Sequence, residues 1–189
     1  AFLDVFGEEG NLIILGIKDS SLFTTEKFNA WNNFASSFKN YDEVATVISL
    51  KDLQKLVKNK EKNQFELAPI IQDSIIDLEV LKATEEDLFN NYPFYDNFLF
   101  NAKTKTVRTA IYLKKDIVNT AARKDFIINV LEKRVKAFEA QTGLDVRVSG
   151  MPYIRTLNSQ NIVDEIPIFI GAALFVTSLI FFLFFRSFR

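Results

Sequence analysis

An α+β domain followed by one transmembrane helix is predicted by three features of this 189-residue sequence. Strand-like and helix-like segments alternate in the order β-α-β along residues 11–50 and again along 106–149. A polar stretch of different character, residues 51–97, separates the two blocks. The run Ile166–Phe185, IPIFIGAALFVTSLIFFLFF, carries no charge at all.

In the first block, Asn11–Lys18 (NLIILGIK) is a continuous apolar run with β-branched content, the pattern of a buried strand. A helix follows over about Thr25–Asn40. Thr24 is suited to its N-cap, and Phe23 and Phe28 occupy the two positions of a hydrophobic staple. Phe28, Trp31, Phe34, Ala35 and Phe38 recur at three- and four-residue spacing and make one apolar face. A second strand, Glu43–Leu50 (EVATVISL), completes a βαβ unit whose strands should run parallel through a right-handed crossover.

The second block repeats the plan. Thr106–Lys114 (TVRTAIYLK) alternates as a strand and pairs with Asn97–Phe100 through the polar turn Asn101–Lys105. A helix is predicted over Thr120–Thr142, with Ile127, Leu131, Val135 and Phe138 on its apolar face and Gly143 as its left-handed cap. Asp145–Ser149 is the closing strand, and Gly150 with Pro152 turns the chain away. Two βαβ units in one sheet make a ferredoxin-like split βαβ domain over residues 1–150. The insertion at about 51–97 reads as helical: a Lys-rich amphipathic stretch KDLQKLVKNKEK, a pattern at Ile70–Leu81, and a third at Thr84–Asn91 capped by Thr84. Its lysines suit either anionic lipid or, more simply, a solvated helix face.

Residues 151–165 form a linking helix, and 166–185 the membrane span: twenty residues rising about 1.5 Å each cover roughly 30 Å. Pro167 disfavours helical geometry at Ile166, so a kink or break is expected there. Asp164 and Glu165 flank one end, and Arg186 and Arg189 the other. That asymmetry turns the C-terminus to the cytoplasm and residues 1–165 outward. The sequence opens at Ala1 without an initiator methionine, which predicts an excerpt from a longer polypeptide.

Composition narrows the function. Twenty-three basic residues against 24 acidic ones leave no electrostatic footprint for nucleic acid. Histidine and cysteine are both absent, which removes disulfides, Cys/His zinc sites and nucleophile–imidazole pairs. The GEEG at Gly7–Gly10 lacks the lysine and helix of a phosphate loop. Asp42/Glu43 and Glu85/Glu86/Asp87 read as helix-start or surface charges, and Ser20/Ser21 and Ser36/Ser37 have no base. No catalytic residue, metal site or cofactor is expected.

The order of features carries a resemblance. Phe6-Gly7 leads into a βαβ unit closing on Val47–Leu50 (VISL), followed by the insertion, a hairpin, and a second βαβ unit. The turn Ser149–Pro152 (SGMP), a linking helix and a span ending in Phe185–Arg189 (FRSFR) complete it. This resembles the first extracytoplasmic, porter-type domain and second transmembrane helix of the resistance-nodulation-division (RND) superfamily. The similar branch holds the mycobacterial membrane-protein-large lipid exporters, the hopanoid transporters, and the Patched and Niemann-Pick sterol proteins. The resemblance implies a transporter of two similar halves that couples proton movement to export of hydrophobic or lipid-like molecules. It implies a bacterial inner membrane, with residues 1–165 in the periplasm and the C-terminus in the cytoplasm. Partners would be membrane lipid, the substrate, the rest of the same chain, and a homo-oligomer or accessory protein. No relay residue of the superfamily maps onto this sequence.

A greasy substrate needs an apolar route. Ile162, Ile166, Ile168 and Phe169 would line a groove beside the linking helix, and Phe89, Phe94, Phe98 and Phe100 would extend it. Loss of export without loss of protein is the expectation for alanine at Phe98 or Phe100. Most such phenylalanines belong to cores or lipid-facing surfaces. Two other readings stay open: an extracytoplasmic sensor domain of a single-pass receptor, and an outward scaffold without transport.

Overall fold

In the computed structural model, which describes residues 9–59, 63–71 and 74–185, the apolar run after Asn11 forms β1 (Leu12–Ile17). Phe6-Gly7, Lys60, Lys62, Arg186 and Arg189 lie outside the described residues. An uninterrupted apolar run predicts burial on both faces, but here burial alternates. Ile13, Leu15 and Ile17 are sealed, while Leu12, Ile14 and Gly16 are half-buried, so the sheet has one closed and one half-open face.

The first helix, α1 (Thr25–Ser37), begins as its capping signals predict. Lys27 N donates to Thr24 Oγ1 at 3.4 Å, and the Phe23 and Phe28 rings meet at 5.8 Å. Phe28, Trp31, Phe34, Ala35 and Phe38 are all buried. Beyond α1 comes β2 (Val44–Ile48). In the second block lie β5 (Phe100–Asn101), β6 (Thr106–Leu113) and β7 (Val146–Ser149). Between β6 and β7 runs one continuous helical stretch: α3 (Ala121–Asp125), a π-helical segment Phe126–Leu131, and α4 (Glu132–Thr142). Gly143 ends it at φ 69°. Ile127, Leu131, Val135 and Phe138 are buried as the periodicity predicts. The π segment has no counterpart in the sequence pattern.

Sheet order is β2-β6-β1-β7, with β5 added beside β6, and every pairing is antiparallel. Since β6 lies between β1 and β2 and opposes both, those two run parallel without touching. The sheet residues and the apolar faces of α1 and α4 join in one buried core, where Phe34 stacks on Phe138 at 4.5 Å. Register distinguishes the two ends of the sheet. Leu12 pairs with Tyr112, Val44 with Leu113 and Ile14 with Ser149 at one end; Ile17 pairs with Val107 and Val146 at the other. The insertion leaves from Ile48 and returns through Phe100, both toward the second end, whereas β7 hands the chain on at the first.

The insertion departs furthest from expectation. The Lys-rich stretch does not form the expected helix: after a 3-10 turn at Leu50–Asp52, Gln54–Asn59 forms β3, paired residue for residue with β4 (Gln64–Pro69). Asn63 adopts φ 47° in the connecting turn, a conformation asparagine tolerates well. Lysines spaced at three and four residues fit a helix, but the alternation in Gln64–Pro69 supplies a partner that captures the segment as a strand. The pattern at Ile70–Leu81 is also mostly non-helical, because α2 (Leu78–Asn91) starts only after Asp77, whose carboxylate accepts from Glu79 N at 2.8 Å. The side chain of Asn29 explains the delay. It donates to Ile75 O at 2.7 Å and accepts from Ile75 N at 3.1 Å, taking both groups that a helix would use. Thr84 is not a cap but sits inside α2, donating to Val80 O at 2.7 Å.

From Met151 to Phe185 the chain is one helix, α5, of 35 residues, unbroken through Pro167. The break predicted at Ile166 does not occur. Proline forfeits a single ladder bond, and the turns on either side hold the rest. Residues 161–185 are exposed on every face, and the helix is long and apolar enough to cross a membrane. By contacts the chain divides into two units, residues 1–153 and 154–189.

Entry to the insertion is pinned by a capping box. Asp52 Oδ2 accepts from Ser49 N at 2.9 Å and from Ser49 Oγ at 2.8 Å, while Lys39 Nζ binds Oδ1 at 2.6 Å. Burial opposes the charge of Asp52, but the hydrogen bonds from Lys39 and then Ser49 outweigh it and hold the carboxyl below its usual value of 3.8. Below that value the unfolded chain binds the proton and the folded chain resists it. The stabilisation is therefore full above the unfolded pKa and is lost as pH falls through the folded one. Asp52→Asn should cost about 1 kcal/mol at neutral pH, the magnitude of a lost cap. The variant should also show a shallower acid limb in urea denaturation followed against pH; equal limbs would mean that Asp52 contributes nothing there.

Candidate functional site

A concavity of the first unit lies on the outer side of the two core helices. It is an open groove of about 700 Å³ lined by Glu26, Asn29, Asn33 and Phe34 of α1 and by Arg134, Phe138 and Gln141 of α4. Its aromatic wall exists because Phe34 and Phe138 stack where the two helices touch. Its polar groups come from the solvent-side positions of both helices.

Arg134 is the group of greatest interest there. It donates to Tyr41 Oη at 3.0 Å and to Ser37 Oγ at 2.7 Å, and its guanidinium lies 5.5 Å from the Phe38 ring and 5.7 Å from that of Tyr41. All these partners are neutral. Its buried Nε has no hydrogen-bond partner among the described residues. Ser37, the hydroxyl beside it, donates to Phe34 O at 2.6 Å and so has its proton engaged by backbone. The groove can therefore hold a ligand through donors and an aromatic wall, and among the described residues its cation has no carboxylate attached. Among the described residues no group of three Asp, Glu, His or Cys side chains could hold a metal ion.

Two tyrosines elsewhere in the first unit donate to carboxylates. Tyr153, in the first turn of α5, donates to Glu132 Oε1 at 2.5 Å, and burial followed by that bond pushes its pKa up to about 12. Tyr92, just after α2, donates to Asp87 Oδ2 at 2.9 Å and is likewise pushed up to about 12 by burial and by Asp87. Both stay neutral and able to donate well beyond the usual tyrosine range.

The residues predicted for a substrate path are divided between the two units. Phe100 is fully buried at the head of β5, its ring edge-on to Phe89 at 5.6 Å, so both belong to the core. Phe98, two residues earlier, is 46% exposed and follows Asn97 at φ 65°. That turn places Phe98 toward solvent and Phe100 toward the core. Phe94 is exposed. Ile162, Ile166, Ile168 and Phe169 are exposed residues of α5 in the second unit. The expectation that alanine at Phe100 would spare protein level is thus corrected. Phe100→Ala opens a core cavity and should cost about 3 kcal/mol, whereas Phe98→Ala should change stability by less than about 0.5 kcal/mol. Thermal melts of the two variants check this, and equal losses would overturn the assignment of Phe98 to the surface.

Sequence reasoning missed Arg134 and Asn29. Each is a polar residue on a helix whose partners lie far along the chain, 93 to 97 residues away for Arg134 and 46 for Asn29. No local spacing marks such a pair. The only hint is that both stand beside the apolar stripes formed by Phe28, Trp31, Val135 and Phe138. No family model matches the chain, and no curated protein matches it.

Proposed function

We propose that this chain is the first outward domain and following membrane span of an RND-type, proton-driven exporter of hydrophobic or lipid-like molecules. The observation that carries the reading is topological. Two strand-helix-strand blocks interleave in one antiparallel sheet in the order β2-β6-β1-β7, which supports a ferredoxin-like reading, and β7 is followed by a 35-residue helix with a long apolar run. In this reading α5 crosses the bacterial inner membrane, with the α/β domain in the periplasm and the C-terminus in the cytoplasm. Exposure of apolar side chains all round residues 161–185 supports a lipid environment, since water would penalise every one of them. The groove beneath Arg134 and the exposed Phe98 are the surfaces that a departing substrate would meet in this domain.

The complete gene tests the reading. A span shortly before residue 1, several more beyond residue 189, and a second copy of the whole pattern are the expected result. A single span followed by a coiled coil or a kinase-like region would overturn it in favour of a receptor's sensor domain. If the exporter reading holds, Phe98→Ala in the whole protein should lower export at unchanged protein level; wild-type export in that variant would remove Phe98 from the path.

A further inference from the structure

Exposed large apolar side chains are distributed very unevenly in the first unit. Among the described residues, all of them except Met151 fall between residues 51 and 98. The β3–β4 hairpin concentrates them on one face. Its register pairs Leu56 with Leu67, Lys58 with Phe65 and Gln54 with Pro69, so these six side chains point the same way. Leu56 is 69% exposed, Phe65 70% and Leu67 65%. The opposite face carries Lys55, Asn59, Gln64 and Glu66 around Val57. The hairpin is therefore amphipathic with its apolar face uncovered, and a two-stranded sheet with no second layer is at best marginal in water.

We propose that this face docks on the same face of a second copy of the chain, so that two hairpins pack into a four-stranded, two-layer unit. The face suits itself. It holds three large apolar residues and a proline, with no acidic group and one lysine placed at one end. A twofold axis across the strands sets Lys58 of each copy over Gln54 of the other, whose amide oxygen can accept from it, and keeps the two ammonium groups apart. Lys58 makes no ion pair among the described residues, so the contact breaks none. The net charge of −1 sets up no repulsion between copies. Apolar area on the order of 400 Å² per face lies below the roughly 800 Å² per partner of a standard interface, so association is reversible and depends on concentration.

The inference stands independently of the transport reading, because it concerns the hairpin whatever the complete gene encodes. Absence of cysteine makes the test clean. The full chain, in detergent, carries Leu67→Cys on the apolar face or Gln64→Cys on the polar one, and is treated with a short bis-maleimide. Dimer should form several-fold faster through position 67 than through position 64. Adding Leu56→Asp to the Leu67→Cys chain should abolish the difference. The melting temperature should stay unchanged, since Leu56 is exposed. Equal cross-linking at both positions, or indifference to Leu56→Asp, would overturn the proposal. So would quenching of a fluorophore at position 67 by chain-labelled lipid in vesicles of phosphatidylcholine and phosphatidylglycerol, an outcome that assigns the face to the bilayer.

Discussion

Gly150→Ala is expected to destabilise the first unit by about 3–5 kcal/mol, combining left-handed backbone strain with a steric clash. Gly150 adopts φ 119°, a region that L-residues rarely enter. A Cβ there would collide with the carbonyl oxygen of Leu12 and come 2.9 Å from Ile13 Cα. Both obstacles are backbone atoms of a strand interior to the sheet, so no side chain can rotate to relieve them. The position is also where β7 ends against β1 and the chain enters α5. Gly143→Ala is the matched control. It too has a positive φ, 69°, but a methyl group added there would meet nothing within 4 Å, so it should cost only about 1 kcal/mol. Urea denaturation of both variants by circular dichroism compares them. Equal losses would mean that the β7–α5 junction relaxes freely and that close packing there is unimportant.

Trp31→Ala should cost about 3–5 kcal/mol, and Trp31→Phe much less. Trp31 is fully buried in the seam between the two core helices, 5.9 Å from the Phe34 ring and 5.8 Å from that of Phe138. Alanine there removes the central ring of an aromatic cluster whose other members cannot close the gap, since Phe34 and Phe138 are already stacked on each other. Phenylalanine leaves a smaller void. It also removes an indole N–H that is buried without a hydrogen-bond partner among the described residues, and the relief of that unpaired donor offsets part of the lost contact. Denaturation followed by circular dichroism suits all three proteins, because Trp31 is the single tryptophan of the chain. A Phe variant as damaged as the Ala variant would show that the indole N–H is satisfied after all.

Elements whose signals are local were legible. Thr24 with Phe23 and Phe28 located the start of α1, and Gly143 the end of α4, because caps and staples act over three or four residues. The apolar stripes of both core helices identified those helices' share of the core, since burial follows helical periodicity wherever one face meets a sheet. The hairpin was not legible. Lys51–Lys62 fits a helix by its own spacing, and only pairing with Gln64–Pro69 makes Gln54–Asn59 a strand. The start of α2 was obscured in the same way, by an asparagine 46 residues away that engages Ile75. The candidate path was legible only as a set of apolar residues, because spacing does not reveal that Phe100 turns inward while Phe98 turns out.

By itself, then, the sequence determined the α+β class, the two helix-on-strand blocks, the apolar C-terminal helix, and the absence of histidine and cysteine chemistry. These follow from composition and from periodicities of a few residues. Only the tertiary structure decided that β6 enters between β1 and β2, that the Lys-rich stretch pairs as a hairpin, that Arg134 meets the neutral oxygens of Ser37 and Tyr41, and that the apolar surface of the first unit collects on the insertion. The pairings among them join a segment to a partner outside it, 5 to 15 residues away in the hairpin and 93 to 97 away for Arg134, and such contacts are selected by packing rather than by the preference of any one segment.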